Sequence, residues 1–312
     1  LFVFLRLTVQ PLAVILLMSL FGVFYKPIIP LADSITTRNL ADPAIDYGRT
    51  RVFGSIGFVM VSLLIQIAGI LTNPSATTIM IAHLVTGAAF LCSLILLPGR
   101  REEVERHPTH HSLRLQPAAS DAGSIDPLFW VGILVIFTGR FAITAHYSFF
   151  SLFLRDQMGL KAISGIWAIG SLAEIPVILF GGFIIRKVGM EGLFAVSLLA
   201  ISARLLCYSL SPPLSLLLVV QLLHAFTYGG FHMASVSLVN RFTTPSRRAL
   251  GMALYVSLGV GASAFLASAI GGVILARTGF VVLFRIYAII PVTGLLLLPT
   301  LRRRSRNPAS AG

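Results

Sequence analysis

Charged residues are scarce in this sequence. Only 11% of the 312 residues are Asp, Glu, Lys or Arg, whereas about a quarter are charged in a typical soluble domain. With 56% hydrophobic residues and a mean hydropathy of +0.90, the composition excludes an ordinary soluble globule. Acid is the scarcer sign, with 11 Asp and Glu against 24 Lys and Arg. Cysteine is nearly absent. Cys92 and Cys207 both stand inside apolar runs, so the sequence predicts two buried thiols, with neither a disulfide framework nor a CxxC metal motif. There is no HExxH, no GxSxG and no pair of carboxylates within one apolar span, which leaves zinc and serine chemistry without a framework. The chain therefore reads as a non-enzyme with no cofactor and no metal.

What the sequence has in quantity is long apolar runs. A bilayer core about 30 Å thick takes roughly 20 apolar residues per helix, and about nine runs meet that length: 10–35, 52–72, 77–98, 128–154, 163–185, 193–210, 214–240, 249–276 and 281–300. This predicts an all-α membrane protein embedded in the lipid bilayer. The basic residues fall in short clusters between the runs, which fits membrane orientation and not nucleic-acid binding. Arg38, Arg49, Arg51, Arg100, Arg101, Arg106, Arg114, Arg186, Lys187, Arg241, Arg247, Arg248, Arg302, Arg303, Arg304 and Arg306 occupy alternate connections, and so lie on one side. The positive-inside rule places that side, with the C-terminus, in the cytoplasm of a multi-pass plasma (inner) membrane protein.

An odd number of spans puts the first residue outside, and that residue is Leu1, so the sequence is read as truncated at its N-terminus. Residues 100–127 form the longest polar connection, and its His107, His110 and His111 are read as part of a cytoplasmic linker. They divide a partial N-terminal half (1–99) from a C-terminal half (128–301) and a basic cytoplasmic tail (302–312). "RVFGSIGF" from Arg51 and "RALGMALY" from Arg248 open glycine-rich spans with the same R-x-x-G, as an internal repeat would. If the two are equivalent, the first half lacks about 70 residues, or about three helices.

Ionisable residues inside a bilayer are costly and usually face a partner or a watery cavity. Glu174 stands in the middle of the run 163–185. It is read either as a proton-coupling carboxylate or as half of a static ion pair with Arg140 or Arg204. Pro176, Gly181 and Gly182 would let that span bend. Gln221, His224, Tyr228, His232 and Ser235 follow helical spacing and predict one polar stripe along the span 214–240, either a cavity wall or a set of helix-packing hydrogen bonds. Lys26 and Asp33 share a face across Pro27 and Pro30. Asp33 is placed near the cytoplasmic end, where Arg49 or Arg51 could meet it as a structural or gating pair. Three cations within the spans (Lys26, Arg140, Arg204) exceed two acids (Asp33, Glu174), so an anionic solute would complete the site. Tyr147, Phe149, Phe150 and Trp167 offer aromatic walls if they face inward.

Several stretches resemble a known family. Two halves of six spans joined by a basic loop look like the major facilitator superfamily. "KPIIPLADSI" from Lys26, "DYGRTRVFGSIGF" from Asp46, "TAHYSFF" from Thr144, "LAEIPVILF" from Leu172 and "LLHAFTYGGFHMAS" from Leu222 resemble its phenylpropionate permease and nucleoside:proton symporter branch. The resemblance implies a major facilitator-type bundle with about nine of twelve helices present. It also implies a secondary transporter, probed first as a proton-coupled symporter of a small organic solute such as an aromatic carboxylate. Nucleoside or sugar symport, efflux antiport and a non-transporting membrane protein are the alternatives. Glu174, Arg204 and His232 on three successive spans resemble the acid, arginine and histidine of lactose-permease-like symporters, which implies proton coupling at Glu174 and His232. Arg140, His146, Arg204, Gln221, His224, Tyr228 and Lys26 are then expected to line the substrate cavity. Asp33, Asp46, Arg49, Arg51, Arg186 and Lys187 would serve gating or structure. One departure is plain: "GGFIIRKVGMEGLF" has the G-x-x-x-D-R-x-G shape of the facilitator loop, but Arg186 takes the Asp position. The expected partners are a small solute, protons and lipid, for a monomer.

Overall fold

The computed structural model describes residues 43–70, 76–95 and 125–303, with Gln10 and isolated positions between 13 and 28. Lys26, Asp33, His107, His110 and His111 lie outside the described residues, as do the side chains of Asp46 and Arg49. Among the described residues every regular element is helical: α1 Pro43–Ile67, α2 Ala76–Ile95, α3 Pro127–Leu152, α4 Ile163–Leu179, α5 Gly181–Ser209, α6 Leu214–Gln221, α7 Phe231–Phe242, α8 Arg248–Leu254 and α9 Ser263–Arg303. Three wide π-helical turns, at Phe153–Gln157, Ala225–Gly230 and Tyr255–Ala262, interrupt this α-helical path. Among the described residues five helical stretches, the longest 248–302, are long and apolar enough to cross a membrane.

Local chemistry sets the breaks. Asp126 caps α3, its Oδ1 accepting from the Leu128 N–H at 2.9 Å, with Pro127 in the first turn where a missing N–H costs nothing. Within α5 and α9 the chain reverses at Gly189 (φ 77°) and Gly279 (φ 80°), conformations that a side chain would strain. These are the break after Ile185 and the break before residue 281 that hydropathy predicts. The expected bend after Glu174 is also present. Pro176 removes one helical donor, and Phe180 leaves helical geometry (φ −97°, ψ 12°). The hydrogen bonds Phe180 N–H to Pro176 O and Ile184 N–H to Phe180 O nevertheless carry the chain into α5.

Packing divides the chain into two units, residues 1–35 with 73–122, and residues 36–72 with 123–312. In the first, α2 exposes Ile81, Leu84, Val85 and Leu91, and Cys92 is exposed as well. Cys207 is half-buried. The expectation of two buried thiols fails for Cys92 because its run is apolar on all sides, so hydropathy does not say which face meets protein. In the second unit α3, α5 and α9 pack on one another, and α1 lies along α4. The sequence had grouped α1 with the N-terminal half. The core contains Phe129, Phe150, Phe153, Phe194, Tyr208 and Phe284, with Phe153 meeting Phe284 edge-on at 5.3 Å.

Gly139 marks a close approach between α3 and its neighbours. A Cβ there would meet the Phe231 ring at 2.5 Å and Leu198 Cδ2 at 3.0 Å. Phe231 is fully buried and carries the Arg140 guanidinium 5.3 Å above its ring, so it has little room to yield. Gly139→Leu is expected to destabilise the bundle by about 1–3 kcal/mol. The measurement is the midpoint of SDS-induced unfolding of the detergent-solubilised protein, and an unchanged midpoint would show that the ring gives way.

Candidate functional site

The site is built around a buried cation. Arg204, on the second limb of α5, is 0% exposed. A guanidinium in a low-dielectric interior is tolerated only when its five N–H donors are matched. Here Nε donates to the Tyr208 hydroxyl at 2.7 Å, one turn further along the same helix. One terminal nitrogen reaches Thr227 Oγ1 and His224 Nδ1, both at 3.0 Å, and the other donates to Gln221 Oε1 at 2.5 Å. Among the described residues no carboxylate forms an ion pair with Arg204. Its cradle is wholly neutral.

That cradle fixes proton positions. A guanidinium can only donate, so His224 Nδ1 must accept, and the His224 proton sits on Nε2. This nitrogen faces Glu174 Oε2 at 3.7 Å, within ion-pair reach but beyond a hydrogen bond. The Tyr208 hydroxyl accepts from Arg204 Nε and from Gln221 Nε2 at 3.0 Å, which leaves its own proton for His146 Nδ1 at 3.4 Å. His146 is then protonated on Nε2, a buried donor with no hydrogen-bond partner. Phe150 and Trp167 lie against the His146 ring, each with its centroid at 4.6 Å. Ser151 holds Trp167 through Nε1 to Oγ at 3.0 Å.

Glu174, 5% exposed on α4, meets neither of the arginines proposed for it. Its Oε1 accepts from Ser55 Oγ of α1 at 2.5 Å, and its Oε2 is buried without a hydrogen bond. Arg51, one turn before Ser55, donates to the Tyr228 hydroxyl at 3.4 Å. Gln66 Oε1, accepting from Ser164 Oγ at 3.2 Å and the Gly165 N–H at 3.3 Å, ties the far end of α1 to α4.

Arg140 of α3 forms a second cationic centre. Its guanidinium lies over Phe231, with Tyr255, Tyr147 and Tyr228 as electrostatic neighbours, and its Nε is buried without a hydrogen bond. His232 Nδ1 lies 3.0 Å from the Tyr255 hydroxyl. The acid, arginine and histidine expected from three successive spans therefore meet through His224 and not through His232. The polar stripe is likewise divided. Gln221 and His224 face Arg204, Tyr228 faces Arg51, His232 faces Tyr255, and Ser235 donates to its own helix at Phe231 O. The physical cause is the π turn at Ala225–Gly230, whose wider winding shifts the register between His224 and His232. Arg186 and Lys187 are exposed at the Gly189 turn, Lys187 with its Nζ 5.8 Å from the Phe183 ring centroid. Sequence reasoning missed Ser55, Gln66, Tyr208, Thr227 and Tyr255. Only Tyr208 carried a signal, as the residue four beyond a buried arginine. Among the described residues no three of His, Cys, Asp or Glu gather as metal ligands.

A profile of the MFS_1 like family matches residues 1–286. Over 298 residues the chain is 26% identical to an uncharacterized transporter, YwbF, of Bacillus subtilis (strain 168), covering 94% of this chain and 71% of that protein. It is 25% identical over 322 residues to a maltose permease of Geobacillus stearothermophilus, covering 95% and 78%. A probable 3-phenylpropionic acid transporter of Escherichia coli (strain K12) is 24% identical over 232 residues, covering 71% and 57%. Together with the all-helical fold and its membrane-length apolar helices, the profile match makes the chain a member of the MFS_1 like family, an α-helical membrane transporter of the major facilitator superfamily and not an enzyme.

Proposed function

We propose that the protein is a proton-coupled symporter of a small organic acid, with Glu174 as the proton site and Arg140 as the contact for the substrate carboxylate. One observation carries this reading: a buried carboxylate and a buried guanidinium each hold an unmatched polar atom, Glu174 Oε2 and Arg140 Nε, within one helical unit. An ionised Glu174 suits the His224 Nε2–H that faces it. Protonation on Oε1 also fits, because the Ser55 hydroxyl can rotate from donor to acceptor without moving its oxygen. Arg204 has less freedom, since four of its five donors are already taken by Tyr208, Gln221, His224 and Thr227 and every one of its nitrogens is engaged. Arg140 is the cation that has a donor to give. Trp167, Tyr147 and the His146 Nε2–H offer an aromatic wall with one polar contact, which suits an aryl acid. Similarity to a probable 3-phenylpropionic acid transporter supports the same class. In this reading the protein works as a monomer in the plasma membrane, with the Arg302 end in the cytoplasm.

Labelled 3-phenylpropionate is expected to accumulate in energised membrane vesicles carrying the protein, and Arg140→Gln to raise the apparent KM at least about tenfold, the loss of roughly 1.4 kcal/mol of binding. Accumulation of maltose without 3-phenylpropionate would reject the acid reading. Glu174→Gln is expected to abolish both accumulation against a gradient and the external alkalinisation that follows substrate addition to de-energised vesicles, while counterflow exchange continues. Full alkalinisation by Glu174→Gln would remove the carboxylate from the proton path.

A further inference from the structure

Away from the buried site, a cavity of about 610 Å³ opens where the start of the second limb of α5 diverges from the last turns of α9. Val188, Ala195, Leu298 and Pro299 give it an apolar wall, and Glu191 and Arg302 stand in its lining as the charged groups. The carboxylate is already engaged, with Arg241 donating to Glu191 Oε1 at 2.7 Å. Arg302 is exposed and forms no ion pair among the described residues. Lys187 is exposed at the turn beside Val188. With Glu191 engaged by Arg241, Arg302 and the neighbouring Lys187 leave this edge of the cavity with an excess of positive charge.

Its flank is the opposite in character. Val196, Leu199 and Leu296, on the same two helices, are 40%, 56% and 74% exposed, a surface that only acyl chains would solvate. An apolar cleft between helices, flanked by exposed apolar side chains and with Arg302 in its lining and Lys187 beside it, has two-part chemistry. A soluble anion matches only the rim and an apolar solute only the wall. A phospholipid with net negative charge matches both. We propose that this cleft binds one anionic phospholipid, its phosphate at Arg302 and Lys187 and one acyl chain along Val188, Ala195 and Pro299. Such a lipid would join the limb of α5 that starts at Gly189 to the end of α9.

Native mass spectrometry of the detergent-released protein tests this, with dioleoyl phosphatidylglycerol, phosphatidylethanolamine and phosphatidylcholine supplied at equal concentration. Phosphatidylglycerol is expected to be retained at least about fivefold more than phosphatidylcholine, the step that one basic contact gives. Arg302→Glu, at an exposed position, should bring retention down to the phosphatidylcholine level, and Ala195→Trp should reduce all three lipids by filling the cleft. Equal retention of the three lipids, preference for phosphatidylethanolamine through Glu191, or unchanged phosphatidylglycerol binding by Arg302→Glu would overturn the proposal. So would displacement of phosphatidylglycerol by millimolar inorganic phosphate, which would assign the rim to a soluble anion. If Ala195→Trp does not fold, the Arg302→Glu comparison decides.

Discussion

A guanidinium sealed inside a membrane bundle imposes more on its surroundings than any other group among the described residues. Arg204 cannot lose its charge at any ordinary pH and presents donors in a fixed planar fork. Each donor left unmatched would cost about 1–3 kcal/mol, and more for a charged group. The bundle answers with acceptors from three places: Tyr208 on the same helix, Gln221 at the end of α6, and His224 and Thr227 just beyond it. Meeting this demand fixes the position of the chain between α6 and α7. It also fixes the tautomers of His224 and His146, which places a proton opposite Glu174.

The π turn at Ala225–Gly230 follows from the same demand. Gln221 and His224 must both reach a guanidinium on α5, while Gly229 packs beside Val177 of α4 and Gly230 beside Leu193 and Ser197 of α5. An unbroken α-helix would carry a single polar stripe past these neighbours, as the spacing of Gln221, His224, Tyr228 and His232 suggests. The wider turn lets two residues face Arg204 and then re-aims His232 toward Tyr255. Gly230 at its end allows the close approach to α5, where a Cβ would come within 3.2 Å of Leu193 Cδ1 and Ser197 Oγ.

How much of this was legible in the sequence depends on the scale of the signal. Membrane spans are written in runs of about 20 residues, and breaks at Gly189 and Gly279 need only a glycine between two such runs, so both could be read. Glu174 and Arg204 stood out because a charge in an apolar run has few innocent explanations. Their partners did not. Ser55, Thr227 and Gln66 are ordinary in membrane helices, and which of many hydroxyls and amides faces a given charge depends on helix rotation and interhelical register, neither of which hydropathy encodes. Which of His224 and His232 faces Arg204 was hidden for a related reason. Both fit a 3.6-residue period, and no residue type announces a π turn. Packing of α1 against α4 was hidden as well, because an apolar run does not say which neighbouring helix it meets.

The buried charges are held very unequally, and this inequality says which of them can change state. Moving Arg204 would break contacts to four side chains at once and strand acceptors as well as donors, including the Tyr208 hydroxyl on which His146 depends. Glu174 accepts one hydrogen bond, from Ser55, with Arg51 as an electrostatic neighbour and His224 at a distance where attraction persists but geometry is loose. A neutral carboxylic acid at that position keeps its Ser55 contact with the donor and acceptor exchanged, so gaining a proton there strands no neighbouring group. Protonating His224 on Nδ1, by contrast, would turn an acceptor of Arg204 into a second donor facing it, and the Arg204 contact would have to break first. In the proposed symport reading, a proton arriving in this cluster would find its lowest-cost seat on the carboxylate. His224 is confined to presenting a single N–H, and Arg204 acts as the fixed charge that enforces that confinement.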